Sequence, residues 1–147
     1  MFKIDETKAT GKLTVEIKDK DGKVKDSREV KNLVVSDGLD FIASRMKDAT
    51  ATAMSHMAIG TGATAAASGD SSLGTEAARQ ALTSTTVNNN AVSYVASFAA
   101  GSGTGAITEA GVLNAASGGT LLCRTVFSVV NKGASDSMTI TWTITIS

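Results

Sequence analysis

The last segment of the chain has the clearest pattern of hydrophobic and polar positions. Apolar residues alternate strictly with threonines, which predicts a β-strand with one buried face. The apolar positions are Met138, Ile140, Trp142, Ile144 and Ile146, and the polar positions are Thr139, Thr141, Thr143 and Thr145. Edge strands normally carry charge that opposes aggregation. We therefore predict that this strand is either central in its sheet or paired with another subunit, and the four threonines form a candidate subunit interface.

Residues 11–35 have the pattern of a β-hairpin. The first strand alternates apolar and mostly charged positions, and Asp21-Gly22 is a two-residue turn signal. The inward candidates on the returning strand are Val24, Val30, Leu33, Val34 and Val35. The charged face of this hairpin should be solvated.

A helix is predicted directly after the hairpin, with Ser36 or Asp37 as its N-cap. Apolar residues at positions i, i+3, i+4 and i+7 would give it one apolar stripe. These residues are Leu39, Ile42, Ala43 and Met46. About three turns of helix are marginal in isolation, so the helix should dock on the neighbouring sheet.

After residue 48 the pattern is β throughout. Strands are predicted at 54–60, 91–100, 107–113 and 121–130, with a loop or contact arm at 63–74. Residues 75–86 fit either a short helix or an irregular strand. A turn at 116–119 would place Glu109 opposite or diagonal to Arg124. We predict a cross-strand ion pair there, contributing at most about 1 kcal/mol if exposed.

These elements predict a mainly β fold. It would be an antiparallel β-sandwich or a jelly-roll-like barrel, with one short helix and an N-terminal β-hairpin. Residues 1–48 would form the hairpin and helix as an extension of the same domain. Residues 49–147 would form a charge-poor antiparallel β domain.

Charge is distributed very unevenly along the chain. The sequence has 14 Lys/Arg and 14 Asp/Glu residues, but only seven of these follow Asp48. A free domain usually carries charge over about a quarter to a third of its surface. The charge-poor region therefore suggests a surface that neighbouring subunits cover. Net charge is zero, and no segment approaches the ~18 apolar residues of a membrane helix, so neither nucleic acid nor a membrane is an expected partner.

No catalytic or metal-binding constellation is evident in the sequence. His56 is the only histidine and has no cysteine or carboxylate at a ligand-like spacing. Cys123, the only cysteine, lies in an alternating strand and is predicted to be a small buried residue. The glycines at 60–62 and 101–105 lack the Gly-Lys-Ser/Thr of a phosphate loop. We expect no enzymatic activity, no metal and no cofactor.

Several segments together resemble small virion structural proteins of tailed bacteriophages, in the capsid-decoration and tail-fibre-like group. The segments are 56–62 (HMAIGTG), 73–76 (LGTE), 109–113 (EAGVL) and the threonine-rich last strand, with 11–16 (GKLTVE) and 32–35 (NLVV) nearer the N-terminus. The resemblance covers most of the chain. It implies an assembly role, and it brings no catalytic residues.

The resemblance leaves three hypotheses open. The first is a capsid decoration (cement) protein that bridges subunits on the outer face of the head. The alternative is a small tail or baseplate component or fibre adaptor, because 109–113 is similar to a segment of fibre-attachment domains. The third is a host-carbohydrate-binding module, which would need exposed aromatic residues such as Tyr94 or Trp142.

The first two hypotheses share their expected partners and location. The partners would be the phage major capsid protein or other virion subunits, and the chain itself would form a dimer or trimer. The protein would be made in the host bacterial cytoplasm and would reside in the virion, on the outer capsid surface or in the tail.

Overall fold

The computed structural model describes residues 8–47 and 51–147, which form nine β-strands and one helix. The strands are β1 (Ala9–Lys18), β2 (Val24–Val34), β3 (His56–Gly60), β4 (Glu76–Ala81), β5 (Ser84–Asn88), β6 (Ala91–Phe98), β7 (Gly105–Leu113), β8 (Leu121–Lys132) and β9 (Ser137–Ile146). The helix, α1, spans Ser36–Arg45.

The nine strands form one antiparallel sheet in the order β4-β3-β7-β8-β2-β1-β9-β6-β5. Its two halves, β4-β3-β7-β8 and β2-β1-β9-β6-β5, meet where β2 pairs with β8 through two residue pairs. Leu82 and Thr83 connect β4 to β5, the two outer strands, so the sheet curls into a half-barrel. The prediction of a mainly β, antiparallel fold with one short helix is confirmed.

The N-terminal hairpin lies in the middle of the sheet. β1 pairs with β2 on one side and with β9 on the other, and ten residue pairs join β1 to β9. Residues 9–34 are therefore integral to the sheet. The predicted N-terminal segment also includes residues 1–7 and 48, which lie outside the described residues.

Two of the predicted inward positions on β2 are exposed. Val24 is 53% exposed because it lies beyond a register shift, beside the hairpin turn. Leu33 is 37% exposed because alternation along a strand places it on the face opposite the buried Val34. Val30 packs against the core and Val35 is buried, as predicted.

The core fills the concave side of the half-barrel. Every other residue of β9 contributes to it, and β1, β6, β7 and β8 supply most of the rest. Its largest fully buried side chains include Leu13, Ile17, Met57, Phe98, Ile107 and Trp142. The alternation along β9 thus places its apolar face inside and its threonines outside.

The predicted apolar stripe of α1 is right only for Ile42, which packs against the core. Leu39 is 49% exposed and Met46 is 84% exposed, whereas Gly38 is buried. A Cβ atom on Gly38 would collide with the main-chain carbonyl of Leu122, so only glycine permits this close approach to β8. The close contact turns Gly38, and not Leu39, towards the sheet. The N-cap is Val35, with no side-chain cap from Ser36 or Asp37.

Candidate functional site

The four threonines of β9 lie on the outer face of the five-stranded half. The strand register places Thr139 and Thr143 beside Ser97 and Ser93 of β6, and Thr141 and Thr145 beside the uncharged Val95 and Ala91. Thr86 of β5 in turn pairs with Ser93. We call this surface the hydroxyl face. It comprises Ser84, Thr86, Ser93, Ser97, Thr139, Thr141, Thr143 and Thr145.

Main-chain pairing on both sides fixes β9 in the centre of its half. β1 pairs with one edge of β9 and β6 with the other, so this strand has no edge left to pair with another subunit. Ser93 and Thr143 lie 3.2 Å apart through their hydroxyl oxygens, and Ser97 and Thr139 lie 3.0 Å apart. A subunit could contact these threonines only across the face of the sheet.

The hydroxyl face carries no charged side chain, but charged residues border it. β1 places Lys12 beside Thr143 and Glu16 beside Thr139, and β2 adds Lys31 and Glu29 further out. The outer surface therefore changes from ionic to neutral and hydroxyl-rich across the sheet.

A second feature is a buried ionic cluster on the four-stranded half. Arg124 Nε donates to Glu109 Oε1 at 3.0 Å, and both side chains are almost completely buried. The register pairs Glu109 with Val126 and Arg124 with Gly111, so the two residues are diagonal neighbours. The predicted partners are thus in contact, in a buried environment and not at the surface.

Glu109 also holds the loop of residues 61–75, which connects β3 to β4. Its carboxylate accepts hydrogen bonds from the main-chain N–H groups of Gly62, Gly74 and Thr75 at 2.6–2.7 Å. Burial would raise the pKa of Glu109, but these three bonds and the Arg124 bond outweigh burial and hold that pKa below its ordinary value. Glu109 is therefore an ionised anchor for the loop.

Arg124 extends the cluster to the far side of the same loop. Its two terminal nitrogens donate to Asp70 Oδ2 at 2.8 Å and to the Thr64 carbonyl at 3.0 Å. The Ala67 N–H bond and the Arg124 contacts hold the pKa of Asp70 below its ordinary value, although burial opposes them. Glu109, Arg124 and Asp70 all bond to the main chain of the 61–75 loop or to one another, so the cluster fixes this loop.

The loop partners of Glu109 were missed in the sequence because their glycines fit ordinary turns. A Cβ atom on Gly62 would collide with the Glu109 carboxylate, and one on Gly60 would lie 2.8 Å from the same group. These glycines allow the main chain to approach a side chain closely. The glycines at 60–62 and at 74, together with Glu109 in a strand otherwise without charge, were the only signal in the sequence for this contact.

An apolar cavity of about 340 Å³ lies between α1 and the inner side of β5, β6 and β9. Phe41, Ile42, Met54, Val87, Val92 and Ile144 supply much of its lining. Arg45 lies at its rim and approaches the Phe41 ring, 6.0 Å from its centroid. The cavity shows that the half-barrel is not filled beside β5.

The aromatic residues available for sugar stacking face inward. Trp142 is fully buried and Tyr94 is 8% exposed. Among the described aromatic residues Phe41 is the least covered, and it is half-buried. Within residues 8–47 and 51–147, the hypothesis of a carbohydrate-binding module therefore finds no fully exposed aromatic ring to support it.

The remaining candidate residues have local structural contacts. His56 begins β3 and its Nδ1 atom lies 2.8 Å from Ser55 Oγ. Cys123 is fully buried, and burial raises the pKa of its thiol. Lys132 is buried too and donates to the Ala99 carbonyl at 2.9 Å. Within residues 8–47 and 51–147, no group of three or more His, Cys, Asp or Glu residues could hold a metal ion.

Comparisons with known proteins and a search for membrane helices add no assignment. A scan against protein-family models found no match, and neither curated proteins nor solved structures gave one. In the part of the chain that the structure describes, no helix has the length and apolar character needed to span a membrane.

Proposed function

We propose that the protein is a structural component of a tailed-phage virion, and specifically a capsid decoration protein. It would bind the outer face of the head and bridge neighbouring capsid subunits. The sequence resemblance to small virion proteins and the charge-poor region after Asp48 support this proposal.

The single observation that carries the proposal is the neutral hydroxyl face. Burying an unpaired charge at an interface is costly, whereas a hydroxyl group can donate or accept a hydrogen bond with either partner or with bridging water. A broad surface of hydroxyls without charge can therefore be covered by another protein at low desolvation cost. The face lies on a strand fixed in mid-sheet, so it is presented rigidly.

The mechanism would be additive burial over many copies. Each copy covers a modest area across a junction between capsid subunits, and binding only to the assembled shell stabilises that shell by mass action. The 61–75 loop, fixed by Glu109 and Arg124, would keep its shape during docking.

Quantification of the protein in purified particles tests the proposal. We expect hundreds of copies per particle, labelling over the head in micrographs, and a lower disruption temperature for particles that lack the protein. A stoichiometry of tens of copies or fewer would reject decoration of the head.

A small tail or baseplate component, or fibre adaptor, is the second candidate. The similarity of residues 109–113 to a segment of fibre-attachment domains favours it. Here the copy number would be low and the label would lie on the tail, so the same preparation distinguishes the two candidates.

A further inference from the structure

The two edges of the sheet are protected differently. On β4, Arg79 forms two hydrogen bonds with Glu76, at 2.6 and 3.0 Å, and also donates to the carbonyls of Ala115 and Gly118. On β5, Ser84–Asn88 contains no charged residue and no proline, and it pairs with β6 without a register shift. Edge strands normally carry charge, proline or a bulge that blocks further pairing. β5 has none of these.

The edge of β5 that faces away from β6 is open for main-chain pairing. All five of its residues are exposed, and β6 is its only neighbour in the described sheet. None of the hydrogen bonds found among the described residues reaches its other side. Alternate N–H and C=O groups therefore point outward, where an added strand could bind them.

We propose that β5 pairs antiparallel with β5 of a second copy of this chain, around a two-fold axis at Thr86. Such an interface uses the same residues on both sides, so a strand must be complementary to its own reverse. Thr86 would face Thr86, Thr85 would face Val87, and Ser84 would face Asn88. No like charges meet, and the Thr85–Val87 pairs bring β-branched side chains together, which is favourable between strands.

The inner side of β5 adds an apolar contribution. Thr85 and Val87 line the cavity beneath α1, and Val87 is 71% exposed. In the dimer, each Val87 would lie beside the partner's Thr85 at the open margin of the half-barrel. This arrangement covers apolar surface that the isolated chain leaves in water.

On the outer side, the dimer would join the two hydroxyl faces into one. The five-stranded half of each copy would continue into that of the other, since β5 is the last strand of that half. A single five-residue strand pair is a small interface, so we expect a concentration-dependent dimer. This inference concerns the isolated chain and does not depend on the proposed virion role.

Cysteine cross-linking of the full chain tests the register. In the dimer, two Thr86→Cys residues lie directly opposite each other and should form a disulfide under mild oxidation. Two Ser84→Cys residues lie about 13 Å apart, because four residues of strand rise ~3.3 Å each. Ser84→Cys alone should form no disulfide cross-link, whereas a mixture of Ser84→Cys and Asn88→Cys should cross-link. Buried Cys123 is the background thiol and should stay unmodified.

Sedimentation of the isolated chain tests the same dimer without cross-linking. Wild type should shift from monomer to dimer as the protein concentration rises. Thr86→Lys should remain monomeric at protein concentrations at least tenfold higher, because the substitution places two lysines on the two-fold axis. Gln80→Lys, the matched control on the exposed part of β4, should dimerise like wild type. A wild type that stays monomeric at all concentrations would overturn the proposal. A dimer that survives Thr86→Lys, or that cross-links through Gln80→Cys and not Thr86→Cys, would also overturn it.

Discussion

Glu109 and Arg124 form an ion pair, 3.0 Å long, in which neither side chain has appreciable contact with solvent. The pair joins neighbouring strands and also anchors the 61–75 loop through three main-chain bonds to Glu109. Removing one partner of a buried pair leaves the other uncompensated, which costs far more than breaking a surface pair.

We expect Glu109→Gln to lower the free energy of unfolding by about 3 kcal/mol. The amide can accept fewer of the loop's hydrogen bonds, and Arg124 would keep only the partly exposed Asp70 as its counter-charge. Urea denaturation measures the change. The matched control is Glu29→Gln, which removes an exposed pair with Lys12 and should change stability by less than about 1 kcal/mol. Equal effects of the two substitutions would contradict the anchoring role of Glu109.

Acid should weaken this cluster in a defined direction. The pKa of Glu109 in the folded protein lies below its ordinary value of 4.5, so the unfolded chain binds more protons at low pH. The contribution of Glu109 is therefore present above about pH 4.5 and is lost as the pH falls towards the folded-state pKa. Unfolding free energies measured between pH 7 and pH 3 should fall more steeply for wild type than for Glu109→Gln. Parallel curves would show that Glu109 does not carry the effect.

Gly38→Ala should destabilise the protein, although alanine favours helices. Helix propensity would contribute about 1 kcal/mol of stabilisation. The added Cβ collides with the Leu122 carbonyl, and overpacking of this kind costs about 1–3 kcal/mol or more. Thermal unfolding should give a lower midpoint than wild type. The control Ala43→Gly, at an exposed position of the same helix, measures the effect of helix propensity alone on stability. A Gly38→Ala variant more stable than wild type would refute the close packing of α1 on β8.

The pKa of Tyr94 should show whether its ring is buried in the folded protein. It is the only tyrosine, and burial raises its pKa to about 12, with the nearby Cys123 adding to the shift and Arg45 opposing it. Absorbance at the phenolate band should therefore rise only near pH 12 in the folded protein. In denaturant the same transition should occur near the ordinary value of about 10. A folded-state transition near 10 would mean that the ring is accessible to water.

Thr141→Lys should weaken attachment to phage particles and leave the isolated chain folded. Thr141 is exposed at the centre of the hydroxyl face, between Thr14 and Val95. A charge there would need desolvation on binding. Thr143→Lys is less suitable, because Thr143 lies opposite Lys12. Re-addition of the purified variant to stripped particles measures attachment, with Gln80→Lys as control, and undiminished binding of Thr141→Lys would argue against this face.

The sequence predicted the strands well wherever alternation was strict. The threonine alternation located β9, and apolar residues at every second position located β1 and β6. The two short strands β4 and β5 were ambiguous because neither has an alternating apolar face: β5 is exposed throughout and β4 almost so. Their assignment depends on pairing with distant strands, which a local pattern does not contain.

The candidate site was predictable only in part. Pattern and turn length placed Glu109 near Arg124, but burial of the pair depends on a loop that arrives from residues 61–75. The orientation of α1 was mispredicted because the close contact of one glycine outweighed a regular apolar stripe. The hydroxyl face needed the pairing of β6 with β9, two strands separated by nearly forty residues in the chain.

The pairing of β1 with β9 joins the first and last strands of the described residues over ten residue pairs. On the ribosome, β1 would therefore lack one of its two neighbours until β9 has been synthesised. Prematurely terminated products would be unable to finish the five-stranded half. Folding of that half thus requires β9, and only chains that include this strand would present the hydroxyl face on which the proposed virion role depends.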